Sequence, residues 1–196
     1  MKFTLSFLIL FFYSTLHCQT YSNEISDNEL SVFFQQLKNS KKLKNKKIDQ
    51  KIIKWSNYDV YGEKDSTLSF SFGIGILKNE IVLKHLTKDD IKYIEKQYIS
   101  IKDSVWRKNE FKKFNLLDSL GRKEIHDYSM KRHRKMGNYY SYSFSIPLFS
   151  IDKKYVIIIK DFYCGFMCST QCIYLYQRTE IFNNWEEIAS WNCWST

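Results

Sequence analysis

Tyr155–Tyr163 (YVIIIKDFY), Cys172–Arg178 (CIYLYQR) and Trp185–Trp194 (WEEIASWNCW) are the stretches that decide the fold class. Each is rich in β-branched and aromatic residues, and short turn-like pieces separate them, as expected of consecutive strands. Tyr140–Phe149 (YSYSFSIPLF) has the same character just upstream. Four strands in succession predict a β-meander at the C-terminus. Pro147 is the only proline and cannot donate to a ladder, so the first of these strands should lie at an edge or bulge there.

Farther upstream the pattern turns helical. Leu30, Phe33, Phe34 and Leu37 fall at i, i+3, i+4 and i+7, one apolar stripe on a helix starting at Asn28, with Ser26 or Asp27 as its cap. Thr87 followed by Asp90 predicts a capping box, and Ile91, Ile94, Tyr98 and Ile101 carry a second helix to about Ser104. Between the two, residues 68–76 (LSFSFGIGI) alternate cleanly, and Ile81–Leu86 (IVLKHL) is the expected hairpin partner. Ile52, Ile53 and Trp55 fit a strand or a short helix equally. Residues 105–138 are mixed and highly charged, and no element is assigned there. The expected class is α+β: an N-terminal helix and a middle helix packed on a largely antiparallel sheet that ends in the C-terminal meander.

The N-terminus reads as an export signal. Lys2 precedes Phe3–Leu16 (FTLSFLILFFYSTL), which is shorter than the about 20 residues a membrane span needs and suits the apolar core of a signal peptide. Residues 1–18 are therefore expected to be a signal peptide and residues 19–196 a single domain, exported to the periplasm or beyond. A lipid anchor on Cys18 is the alternative, although Thr15 and His17 stand where a lipidation site wants an aliphatic and a small residue. No later stretch is long enough to cross a bilayer. Removing residues 1–18 takes one lysine and no acid, so the net charge falls from +9 to +8. An aromatic content of 17% with 6 Gly and 1 Pro argues for a packed globule and against a disordered tail.

Four of the five cysteines, Cys164, Cys168, Cys172 and Cys193, lie near the C-terminus. Their spacing, C-x₃-C-x₃-C, is neither a zinc pattern, nor the C-x₃-C-x₂-C of radical enzymes, nor the redox C-x-x-C. An exported chain meets an oxidising compartment, which favours structural disulfides. If the last two strands form a hairpin turning through residues 181–184, one register sets Cys172 against Cys193, Tyr174 against Trp191 and Arg178 against Glu187. A cross-strand thiol pair, an aromatic pair and an ion pair then coincide. The expected bridges are Cys172–Cys193 and Cys164–Cys168, while metal-binding and redox roles stay open as alternatives.

The strand ending in Tyr163-Cys-Gly-Phe-Met-Cys168, the aromatic strand after it and the late Trp185 resemble small exported proteins of flavobacterium-like bacteria. Many of those carry a Cys-Gly-x-x-Cys-type cluster near the C-terminus. The likeness covers about the last 60 residues, implies export and architecture, and brings no assigned activity. The element order is also similar to cystatin-like and nuclear-transport-factor-like proteins, in which a curved sheet wraps a helix.

Function is less legible. Lys38–Lys47 and Lys131–Lys135 (KRHRK) are basic patches that fit nucleic acid, an anionic lipid surface or an acidic glycan, or a merely solvated face. His126, Asp127 and His133 are the only support for a hydrolytic site, against the simpler reading of surface histidines. His85 alternates in a strand-like segment and should be a sheet-surface or half-buried residue. Asp89-Asp90 suit a helix start and Glu186-Glu187 a strand end. No phosphate loop, H-E-x-x-H, G-x-S-x-G or calcium-loop pattern occurs, so no metal or cofactor is expected. The aromatic C-terminus (Tyr174, Tyr176, Phe182, Trp185, Trp191, Trp194) offers a face for sugar or peptide, or simply the packing of the sheet. The expectation is a non-enzymatic binding or envelope-associated module, with a secreted hydrolase using residues 105–138 as the alternative.

Overall fold

The computed structural model describes residues 21–39, 43, 46–55, 80–102, 104–108, 111, 114–131, 140–165, 168–179 and 184–195. The export signal with Cys18, the alternating segment 68–76, residues 132–135 of the second basic patch with His133, and half of the patch 38–47 lie outside them.

The described chain runs α1 (Asp27–Asn39), β1 (Lys47–Asp49), α2 (Glu80–His85), α3 (Lys88–Ile99), β2 (Asn115–Leu117), α4 (Ser119–Lys131), β3 (Ser141–Phe144), β4 (Leu148–Phe149), β5 (Tyr155–Gly165), β6 (Cys168–Arg178) and β7 (Trp185–Ser195). One sheet has the order β2-β1-β3-β5-β6-β7, with β4 paired to β5 off this path. β1 runs parallel to both β2 and β3, and the pairs from β3 to β7 are antiparallel. The fold is α+β with consecutive strands at its C-terminal end.

Why the meander forms is plain in β5. Val156, Ile157, Ile158 and Ile159 are each 0% exposed, so neither face of the strand meets water. Val156 and Ile158 join Leu30, Phe33, Phe34 and Leu37 of α1 in one core, closed by Trp106 and Phe111. Ile157 and Ile159 join Val82 and Leu86 beside α2, and Ile94 of α3, in a second. Helices thus cover both faces, and the stripe of α1 is buried as its periodicity requires.

α3 starts as expected, for Thr87 accepts from the Asp90 N–H and the Asp90 carboxylate accepts from the Thr87 N–H. Partial burial disfavours the Asp90 charge, but hydrogen bonds from the Thr87 hydroxyl, the Ile151 N–H and the Thr87 N–H outweigh it. Its carboxyl is held below the usual range. α1 begins at Asp27, and the Ser26 side chain accepts from the Glu29 N–H.

Three expectations need correction. Residues 81–86 are no hairpin strand: Glu80–His85 is helical, with Glu80 in its first turn and Lys84 and His85 in its last, matching the helix dipole. Val82 and Leu86, four residues apart, both face the core. His85 consequently lies on a helix, 5.5 Å from the Tyr155 ring. The strand holding Pro147 is interior at β3 rather than an edge, but it is interrupted at the proline as expected: it breaks at residues 145–147, and beyond the break β4 pairs, among the described strands, with β5 alone.

The third concerns the terminal ribbon. Gln171 faces Trp194, but Ile173 faces Trp191 and Tyr176 faces Glu187, while Arg178 faces Trp185. Two register shifts, each an extra residue on β7, produce this. Tyr174–Trp191 and Arg178–Glu187 are therefore not opposed. Cys172 and Cys193 lie at the first shift, where Asn192 takes the left-handed conformation (φ 49°). Their Cα atoms are 4.2 Å apart and the two are disulfide-paired. Cys164 and Cys168 form the other pair, with Cα atoms 5.2 Å apart. The β5–β6 register shifts between Tyr163 and Gly165, and Gly165, at φ 119°, occupies backbone that a side chain disfavours.

Candidate functional site

Three places gather chemistry. The first is a polar cluster beneath α4. On the face of the sheet that holds the second core, alternate residues turn polar: Asp49 on β1, Ser141 and Ser143 on β3, Asp161 and Tyr163 on β5, and Ser169 on β6. α4 lays Arg122 and His126 over them. Arg122 pairs with the Asp49 carboxylate, which also accepts from the Ser143 hydroxyl at 3.4 Å and the Lys51 N–H at 3.0 Å. The Ser169 hydroxyl donates to Asp161 at 2.9 Å, and His126 Nδ1 lies 2.7 Å from the Tyr163 hydroxyl. Burial above all pushes the Asp161 carboxyl up, with the nearby Asp49 adding to it. The Ser169 hydrogen bond and the Arg122 charge oppose that rise. Ser141 Oγ is buried without a hydrogen-bond partner among the described residues.

This arrangement fastens α4 to the sheet through the partly buried Arg122–Asp49 ion pair and the exposed His126–Tyr163 hydrogen bond. Of the sequence candidates for hydrolysis, it brings together His126 alone, exposed and held by a phenol. Asp127 is exposed, and His133 lies outside the described residues. Asp49, Arg122 and Asp161 went unnoticed in the sequence. Their one signal is Asp118, whose side chain accepts from the Gly121 N–H at 3.0 Å as a helix cap does.

The second place is the opposite face. α1, with 13 residues, spans about 20 Å at 1.5 Å per residue, whereas the 11 residues of β5 span about 36 Å, so the helix leaves part of the face open. There Tyr140, Tyr142, Phe162 and Tyr174 stand half-buried side by side. Phe162 lies 5.3 Å from Tyr142 and 5.7 Å from Tyr140, ring centre to ring centre. Lys160 Nζ hangs 3.6 Å over the Tyr174 ring and 3.4 Å from the Glu187 carboxylate. Lys46 lies 4.6 Å over the Tyr140 ring and donates to its hydroxyl, which raises the ammonium pKa. Burial raises the Tyr142 and Tyr174 hydroxyls, so both remain protonated donors at ordinary pH.

The third place is a groove of about 560 Å³ between the segment after β1 and the end of α3. Among the described residues no group of three or more His, Cys, Asp or Glu side chains gathers to hold a metal ion. None of their helices is long and apolar enough to cross a membrane. Paired cysteines are the habit of oxidising compartments and suggest a non-cytoplasmic fold. No family model, no curated protein and no solved structure matches this chain.

Proposed function

We propose that the protein is a non-catalytic binding module of the cell envelope or its surroundings, and that it holds an acidic glycan on the open half of the sheet. The observation that carries this reading is the row Tyr140, Tyr142, Phe162 and Tyr174 with two ammonium groups over its rings. Aromatic faces take the apolar C–H faces of sugar rings, tyrosine hydroxyls reach their hydroxyls, and lysines meet carboxylates. The rings are fixed by the strands that carry them, so little ordering is lost on binding. Export is supported by the apolar Phe3–Leu16 segment together with the paired cysteines. Free secretion and a lipid on Cys18 are both compatible with it.

The test is retention on immobilised polygalacturonate against neutral cellulose. The parent should be retained on the acidic glycan and eluted by salt, and Tyr142→Ala with Tyr174→Ala should abolish retention while leaving the circular dichroism unchanged. Equal retention of the double variant, or equal affinity for cellulose, overturns the reading.

A further inference from the structure

The two disulfides differ in what they show to solvent. Of the four bridged cysteines Cys193 alone is exposed: Cys164 and Cys172 are 5% and 4% exposed, and Cys168 is half-buried. Buried bridges resist reduction, whereas exposed ones are the labile and regulatory kind. The exposed sulfur also sits on the last strand of the sheet, since β7 ends the strand order and its far edge pairs with no described strand. Backbone donors and acceptors beside Cys193 are thus open to an extended segment of another protein.

The bridge divides β7 into two parts. Ile188, Ala189 and Trp191, which pack against the second core, all precede it. Trp194 and Ser195, which follow it, are exposed. Between the parts Asn192 is left-handed (φ 49°), a backbone conformation that residues other than glycine seldom adopt and that persists where its surroundings impose it. Opening the bridge therefore loosens the end of the strand and uncovers neither core. We propose that Cys172–Cys193 is a thiol-exchange site, attacked at Cys193 by a dithiol oxidoreductase of the Cys-x-x-Cys kind, while Cys164–Cys168 is a structural bridge. The attacking thiolate bonds to the Cys193 sulfur, the Cys172–Cys193 bond breaks, and its electron pair leaves on Cys172, which takes a proton from water. The attacker's second thiolate then displaces Cys193 from the mixed disulfide. The partner ends oxidised to a disulfide and this pair reduced to two thiols. The exchange is independent of glycan binding.

The experiment incubates the full exported chain, oxidised, with reduced thioredoxin as the probe. Aliquots are quenched with iodoacetamide, and the alkylated cysteines are mapped by peptide mass spectrometry. Cys172 and Cys193 should be alkylated first, and Cys164 and Cys168 about tenfold more slowly, the delay that a small local opening imposes. A thioredoxin variant with serine in place of its resolving cysteine should be trapped as a mixed disulfide on Cys193. Circular dichroism should stay unchanged while this pair alone is reduced. Two variants test access without any reductant. Cys172→Ser leaves a Cys193 thiol that should react with dithiodipyridine in the native state, and the Cys172 thiol left by Cys193→Ser should react about tenfold more slowly. Equal reduction of the two bridges, faster reduction of Cys164–Cys168, trapping on another cysteine or no trapping at all overturns the proposal. Loss of the circular dichroism on reducing Cys172–Cys193 alone overturns it too, because the bridge would then be holding the fold together.

Discussion

Asp161 is the residue whose chemistry can be read most directly in solution. It is 6% exposed, and burial holds its carboxyl above the usual range in the folded protein. In the unfolded chain it titrates near the ordinary value of about 3.9. Between that value and the folded one, the native state binds the proton more tightly. Stability therefore falls as pH rises through this window and stays lowered at neutral pH. Asp161→Asn keeps an oxygen for the Ser169 hydroxyl and removes the charge. The variant should be more resistant to urea than the parent at pH 7, and the difference should close below about pH 4. A difference that does not change with pH would show that burial of this charge is not what the substitution relieves. Gln97 shows how a single residue escapes sequence reading. It is 0% exposed, donates to the Phe149 carbonyl at 2.6 Å and accepts from the Phe149 N–H at 2.7 Å, standing in for a neighbouring strand beside β4. Periodicity sorts side chains by polarity and passes over a buried amide.

Among the elements, what was legible were those with a cap or a long periodic stripe. α1 and α3 have both. Glu80–His85 has one core-facing turn, Val82 and Leu86, and an apolar run that short has no period to distinguish helix from strand. α4 has little stripe at all, since Ile125 is its one core residue while Leu120 and Met130 are exposed; its grip on the sheet is polar. The terminal strands were legible, but not their register, because a bulge adds a residue without altering the alternation on either side of it. Both disulfides sit at such shifts and pin the ribbon where the ladder is interrupted. Cys172 and Cys193 are 21 residues apart, and Cys164 and Cys168 are 4 apart. On the chain-entropy account the longer loop contributes about 3 kcal/mol and the shorter about 2 kcal/mol. Cys172→Ala with Cys193→Ala should accordingly cost more in urea denaturation than Cys164→Ala with Cys168→Ala. The reverse order would mean that the bridges act mainly on the folded ribbon.

At the scale of the whole molecule, the decisive fact is that β5 belongs to two cores at once. Val156 and Ile158 are buried under α1 and its aromatic neighbours, while Ile157 and Ile159 are buried beside α2 and α3. Neither core can open without exposing one face of the same strand to water, so the two should be lost together. Trp106 lies in the first core and Trp55 in the second, and tryptophan fluorescence reports on both. Leu30→Ala on α1 and Ile94→Ala on α3 remove aliphatic groups that are 0% and 2% exposed, on opposite sides of the sheet. Each should cost about 2–5 kcal/mol, and the pair should add to within about 0.5 kcal/mol because the sites share no partners. Fluorescence and far-ultraviolet circular dichroism should follow a single urea transition in the parent and in all three variants. If Ile94→Ala splits that transition, so that α1 and its aromatic core outlast α2 and α3, then β5 does not bind the two layers into one unit. The groove beside α3 would then sit on a part of the molecule that unfolds on its own.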